Sequence, residues 1–276
     1  MNAMAPDQLD ADLIRSFMPG AALEKLQHIT LLQEVDSTNT ALLRLPGEQQ
    51  HAHAVMAEHQ TGGRGRRTRS WHSPPGGNIY LSLGWWFNEN DKPLSTLPLI
   101  AAVAVCRALS RSGLSGHGIK WPNDILVDGR KLAGILVELQ SAASGPALAV
   151  VGIGLNVRMP AAETDELAAA IDRPWTDLAS APGLAHKDIS RNQLAAWLLE
   201  ELPQALETFQ SEGFEAFKSD WLDLDLLHGR NIRVEQGNRE IAGRARGVDH
   251  DGGLLLETSP SVVRVFHSGE VSVHHG

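Results

Sequence analysis

The stretch "IKWPNDILVDGRKLAGILVELQ", residues 119–140, decides the architecture. Asp128-Gly129 sits between two apolar runs, and both central positions of the favoured two-residue hairpin turn take positive φ, which this pair tolerates. The flanking runs therefore read as antiparallel strands. Trp121 precedes Pro122, which disfavours helical backbone and predicts an extended segment there. Lys120, Asn123 and Asp124 gather at a strand end, where binding groups tend to sit. Lys131 enters an apolar strand just past the turn, where a lysine ordinarily snorkels to water. The plain reading of "KWPND" is likewise a turn with a buried tryptophan.

Working outward, "ITLLQEV" (29–35), "HAVMAEHQ" (53–60), "NIYLSLGWWF" (78–87) and "PALAVVGIGLNVRM" (146–159) carry the β-branched, aromatic and apolar residues of further strands. "DSTNTALLRL" (36–45) predicts a helix capped by Asp36 or Ser37, with Ala41, Leu42 and Leu45 on one face. "LSTLPLIAAVAVCRAL" (94–109) is too long and alanine-rich for a strand and reads as a buried helix. Residues 6–17 predict a short amphipathic helix capped by Asp7. Ser190 with Gln193 forms a capping-box pattern ahead of a helix bent near Pro203, and "FEAFKSDWLDLDLL" adds another. After Leu227 the texture changes to short alternating strands with Gly, Asn and Asp turns, which suggests a small β-barrel. The boundary is placed there, giving units 1–227 and 228–276.

The chain has 276 residues, a formal charge of -9 and 42% hydrophobic residues, ordinary for a globular protein with a sizeable core. Its acidic balance argues against general nucleic-acid or membrane-surface binding. No apolar run approaches the ~20 residues of a membrane helix, and the N-terminus lacks a signal pattern. Cys106 is the single cysteine, which excludes an intramolecular disulfide and cysteine zinc clusters. Cytoplasm is the expected compartment. About thirty residues precede the first strand, too few for a helix-turn-helix module.

Against that acidic background, "QTGGRGRRTRSWHSP" (60–74) gathers Arg64, Arg66, Arg67 and Arg69. A charge run is usually a solvated loop. Here Gly62, Gly63 and Gly65 allow close backbone approach and positive φ, Trp71 follows, and no acidic residue lies between His59 and Phe87. Amides and guanidinium forks together suit phosphate or carboxylate. The P-loop pattern is absent, and "GIGLN" (152–156) lacks the third glycine of a dinucleotide fingerprint. Asn156 either reads a ligand edge or caps a turn. The twelve histidines show no strong ligand spacing, with His51 and His53 on one strand face, so no side-chain metal site is expected. No G-x-S-x-G elbow appears.

In order, "DSTN", "QTGGRGRR...W", "KWPNDILV", "KLAGILVEL", "GIGLN" and a terminal barrel resemble the biotin–protein ligases, over about residues 9–274. The resemblance implies an α/β (α+β) catalytic core like those of class II aminoacyl-tRNA synthetases and lipoate ligases, followed by an SH3-like barrel. It implies a cytoplasmic, ATP-dependent ligase using biotin, ATP and Mg²⁺. Biotinoyl-AMP forms first, and biotin then passes to a lysine of a carboxylase's biotin carboxyl carrier domain. Relatives that also repress transcription carry an added DNA-binding domain, so neither DNA nor membrane partners are implied; a monomer or homodimer is.

By the same resemblance Arg66 and Lys131 are catalytic, neutralising carboxylate and α-phosphate. Ser37, Thr38, Asn39, Gln60, Gly63, Arg64, Gly65 and Gly134 join them around biotin. Arg69, Trp71, Asn123, Asp124 and Asn156, with Arg66 and Lys131, match nucleotide positions. Mg²⁺ would ride on the phosphates, near Asp124. Thr61-Gly62 departs from the usual residues before Gly63, and His274 stands where some relatives place a barrel arginine. A lipoate or octanoyl ligase is the nearest rival, and an RNA-binding protein the rival of another class.

Overall fold

The structure is a computed structural model describing residues 7–88, 92–141, 145–160, 174–184, 190–236, 239–267 and 270–273. His274 lies outside them. A seven-stranded sheet is built from β1 (His28–Val35), β2 (His53–Gln60), β3 (Ile79–Phe87), β4 (His117–Lys120), β5 (Asp124–Val127), β6 (Arg130–Ser141) and β7 (Ala147–Leu155). Its order is β1-β2-β3-β7-β6-β5-β4, and only the β1–β2 pairing is parallel. The Asp128-Gly129 turn joins β5 to β6 with φ of 49° and 73°, both positive as the dipeptide demands.

Both faces of this sheet are covered, which explains the near-continuous apolar runs of β3 and β7. On β7, Ala149, Val151, Ile153 and Leu155 enter the main core with α4 (Leu97–Arg111) and α5 (Arg191–Glu212). Leu148 and Val150 point the other way, into a small cluster under α3 (Thr38–Leu43) with Leu42 and Val55. Two residues per period then carry Gly152 and Gly154 onto that second face. The helical segment Leu94–Arg111 has a mean hydropathy of 1.4, and its apolar residues from Leu97 to Leu109 belong to the core.

A second sheet, order β11-β10-β9-β8-β12, comprises β8 (Asn231–Gln236), β9 (Arg239–Val248), β10 (Leu254–Ser259), β11 (Val262–Phe266) and β12 (Glu270–Val273). Every pairing in it is antiparallel. Its inward residues Ile232, Val234, Leu254 and Leu256 join the main core. Trp121 Nε1 also donates to Gly252 O at 2.9 Å, so the tryptophan of "KWPND" docks the two sheets. The preceding chain forms α6 (Lys218–Leu224) after a short 3-10 turn.

Ahead of β1, the described residues hold α1 (Ala11–Ser16) and α2 (Gly20–Leu23). The cap of α1 is Asp10, which accepts from Leu13 N, and not Asp7. Asp7 serves α5 instead, accepting from Arg191 N at 2.6 Å and Asn192 Nδ2 at 2.8 Å. Arg191 is almost wholly buried and pairs with Glu58 of β2, tying the N-terminal segment to the sheet. Sequence alternation also misplaced His51. Ala52, at φ 51°, breaks the strand pattern, so His51 accepts from Trp86 N while His53 meets Thr30 Oγ1 and Gln49 O.

Candidate active site

On the α3 side of the sheet lies a cavity of about 650 Å³. Its lining includes Ser37, Thr38 and Asn39 at α3, the segment from Arg64 to His72, the strand end from Lys120 to Asp124, and Lys131 with Gly134 on β6. Gly152 and Gly154 contribute from β7, and Asn156 from just past its end. Among the described residues that the resemblance assigned to biotin or nucleotide, all but Gly63 line this space. Gly63 is pressed beneath the loop, where a Cβ would fall 2.5 Å from Trp71 O.

Glycines clear the floor. Gly134 and Gly154 are cross-strand partners, and a Cβ on either would fall 2.9 Å or 2.4 Å from the Trp71 indole, which lies against bare backbone. A Cβ on Gly152 would fall 2.3 Å from Asn39 Oδ1. The glycines of "GIGLN" therefore admit side chains to a sheet surface; they do not form a phosphate turn.

Lys131 reaches the cavity through a bulge. Ile125 pairs with Ala133 but Leu126 pairs with Lys131, so Leu132 is an extra residue. In an unbroken strand Lys131 and Gly134 would point to opposite faces; the bulge returns both to one face. Lys131 Nζ sits 2.7 Å from Asp124 Oδ1 and 5.1 Å from the centroid of the Trp71 ring. It is thus a fixed, partly buried cation. Arg66 Nη1 lies 3.4 Å from Asn123 Oδ1, and Asn123 Nδ2 donates to Ile135 O at 2.7 Å, fastening the strand end to β6. Burial and the adjoining Arg67 guanidinium push Arg66 below the ordinary arginine value, while Asp124 pulls it back. An entering anion would offset both the desolvation and the like-charge repulsion.

The arginine segment is a tight excursion, with Gly65 N donating to Arg69 O at 2.7 Å and an isolated bridge between Arg64 and Ser70. Its glycines do not supply the positive φ expected of them. Arg67 and Thr68 do, at 56° and 59°. A left-handed residue with a side chain costs roughly 1–2 kcal/mol, and a β-branched one is a genuine outlier, so strain is held at the tip of this loop.

A polar chain forms the other end. Gln60 Oε1 accepts from Thr38 N at 2.9 Å, and Gln60 Nε2 donates to Ser73 Oγ at 3.0 Å. Ser82 Oγ lies 2.7 Å from Thr38 Oγ1 and 2.5 Å from Asn39 Oδ1. Sequence reading missed Ser82 and Glu138, although Ser82 interrupts the apolar β3 and Glu138 the apolar run of residues 132–139. The residues between His59 and Phe87 hold no acid, and the partner of Arg64 comes from far along the chain, with Glu138 at 2.9 Å. Asn156 lines the cavity while its Nδ2 donates to Thr176 O at 3.0 Å, a carbonyl twenty residues on.

Among the described residues no group of three or more His, Cys, Asp or Glu could hold a metal. Asp124, engaged by Lys131, is the carboxylate that lines the cavity among the described residues. That donor set suits an ion carried in on a ligand and not a protein cage.

Residues 31–156 match the model of the biotin/lipoate A/B protein ligase family, and residues 227–273 match that of the biotin protein ligase C-terminal domain. The bifunctional ligase/repressor BirA of Salmonella typhimurium is 38% identical over 265 residues, spanning 96% of this chain and 78% of that protein. The biotin–[acetyl-CoA-carboxylase] ligase of Mycobacterium tuberculosis is 32% identical over 272 residues, 95% of each. The biotin protein ligase of Aquifex aeolicus, solved with biotin and ATP, superposes with a TM-score of 0.71 at 28% identity, over 91% of this chain and 100% of that one. Fold and relatives together define an ATP-dependent ligase. The chain belongs to the biotin protein ligase family.

Proposed function

We propose that the cavity holds biotin at the Ser37–Asn39 end and ATP between the arginine segment and Lys131, and that the chain forms biotinoyl-AMP there. The observation that carries this reading is a single space bordered by Ser37, Arg66 and Lys131 together. A carboxylate and a triphosphate repel each other. Two fixed cations between them offset that repulsion, most strongly where negative charge grows on the α-phosphoryl oxygens in the transition state. Biotin's carboxylate oxygen attacks the α-phosphorus, the bond to the β-phosphate bridge breaks, and pyrophosphate leaves. The ε-amine of a carrier-domain lysine then attacks the acyl carbon and AMP leaves. Mg²⁺, brought with ATP, supplies further charge to the phosphates. Arg69 and Trp71 border the nucleotide part.

Asn123 and Asp124 hold the strand end and orient Lys131. Residues 64–71 lie over the floor and exclude water, which protects an anhydride from hydrolysis. The polar set Ser37, Thr38, Asn39 and Gln60 favours a ureido ring over the dithiolane of lipoate, which leaves buried polar groups unpaired. The ion pair between Arg64 and Glu138 argues against an RNA-binding cationic loop. The domain division at 227 accompanies this reading, with the core doing the chemistry.

The test is transfer of radiolabelled biotin to a biotin carboxyl carrier domain. Label on one lysine only when ATP is present is the expected result; label from lipoate in preference to biotin would reverse the choice of substrate. A Gly152→Ala chain should show a KM for biotin raised about tenfold, since a misfit methyl costs roughly 1–3 kcal/mol and the nearest atom is Asn39 Oδ1. Biotin titration of ATP–pyrophosphate exchange reads that KM, and an unchanged value would remove Asn39 from the pocket.

A further inference from the structure

Glu138 has no part in the reaction just described, yet it joins two of its components. It lies on β6 four residues beyond Gly134, on the cavity-side face. Its Oε2 accepts from Asn39 Nδ2 at 2.7 Å and from Arg64 Nη2 at 2.9 Å, while Oε1 accepts from the same Nη2 at 3.1 Å. Arg64 Nη1 donates to Thr40 Oγ1 at 2.6 Å. On its far side Asn39 meets Ser82 Oγ, directly above Gly152.

The chemistry of the carboxylate has a consequence for the amide. The oxygen and NH₂ ends of asparagine have nearly the same shape, so only their partners decide which way the group faces. An ionised carboxylate accepts and never donates, so the NH₂ of Asn39 must face Glu138 and its carbonyl must face Ser82. This fixes which donor and which acceptor Asn39 leaves for a ligand. The same carboxylate grips Arg64, so the arginine segment and the amide's orientation are held by one group.

We propose that Glu138 is a positioning residue that sets the donor–acceptor polarity of the ligand pocket through Asn39 and couples it to the arginine segment through Arg64. It thereby selects a cyclic urea over an isosteric ring in which the carbonyl is replaced by an imino group. The proposal rests on the biotin-ligase reading. A glutamine at 138 can present either a donor or an acceptor, which releases Asn39 to turn over and removes the ion pair with Arg64.

The experiment compares biotin with iminobiotin in ATP–pyrophosphate exchange, using the whole chain with Glu138→Gln and, as a second variant of similar volume, Glu138→Met. Wild type should prefer biotin by kcat/KM. Both variants should shrink that preference about tenfold, through the KM for biotin, with kcat at saturating biotin within about twofold of wild type. A purely structural role would lower both substrates alike. An unchanged preference in an enzyme that uses biotin, or a loss confined to kcat, would overturn the role of Glu138 alone. A wild-type chain inert with biotin would overturn the ligase reading along with it.

Discussion

Replacing Arg66 with alanine is expected to cut biotin-dependent ATP–pyrophosphate exchange about a hundredfold or more, the usual loss when one preorganised donor to a developing charge is removed. The expectation follows from where the guanidinium sits. It lines the cavity, is partly buried, and among the described residues holds a long 3.4 Å contact to Asn123 and no close ion pair. Thermal unfolding should change little, because the segment from Arg64 to Ser70 is closed by its own backbone bonds at Gly65 and Arg69. Exchange at the wild-type rate in Arg66→Ala would show that the phosphoryl group lies elsewhere.

Lys131→Ala should be comparably damaging, about a hundredfold, and in both half-reactions. Adenylate formation should slow because the ammonium no longer faces the α-phosphate. Transfer from synthetic biotinoyl-AMP should slow because the same group would stabilise the departing AMP. The substitution also leaves Asp124 as a partly buried carboxylate beside the phosphates, adding repulsion where there had been a 2.7 Å ion pair. Lys131→Met in an Asp124→Asn background separates the two effects: exchange should recover in part from the loss of repulsion, but not to wild type. Transfer from the synthetic adenylate at full speed would restrict Lys131 to nucleotide binding.

Much of this fold was legible from the sequence because local rules and tertiary structure agree. The strand His53–Gln60 falls on the stretch expected, and the Asp128-Gly129 hairpin has both required positive φ values. The ordered motifs likewise pointed to residues that meet around one cavity. What could not be read locally depends on distant partners or on departures from ideal geometry. Glu138 lies 74 residues from Arg64 and 99 from Asn39, so nothing near either reveals their common partner. The bulge at Leu132 is a one-residue slip that alternation alone cannot show, yet it aims Lys131. Positive φ was assigned to glycines because they bear it most readily, but it falls on Arg67 and Thr68, where the closure of the loop imposes it. Asp7 and Asp10 are equally good caps on paper, and the approach of α5 decides between them.

The most direct measurement mixes the chain with excess ATP and biotin, without a carrier domain, and follows pyrophosphate in a single turnover. About one pyrophosphate per chain should appear, only when biotin is present, with biotinoyl-AMP retained on the protein through gel filtration, as a water-excluding site requires. Pyrophosphate release indifferent to biotin, or no adenylate bound to a folded chain, would contradict the joining of vitamin and nucleotide between Arg66 and Lys131.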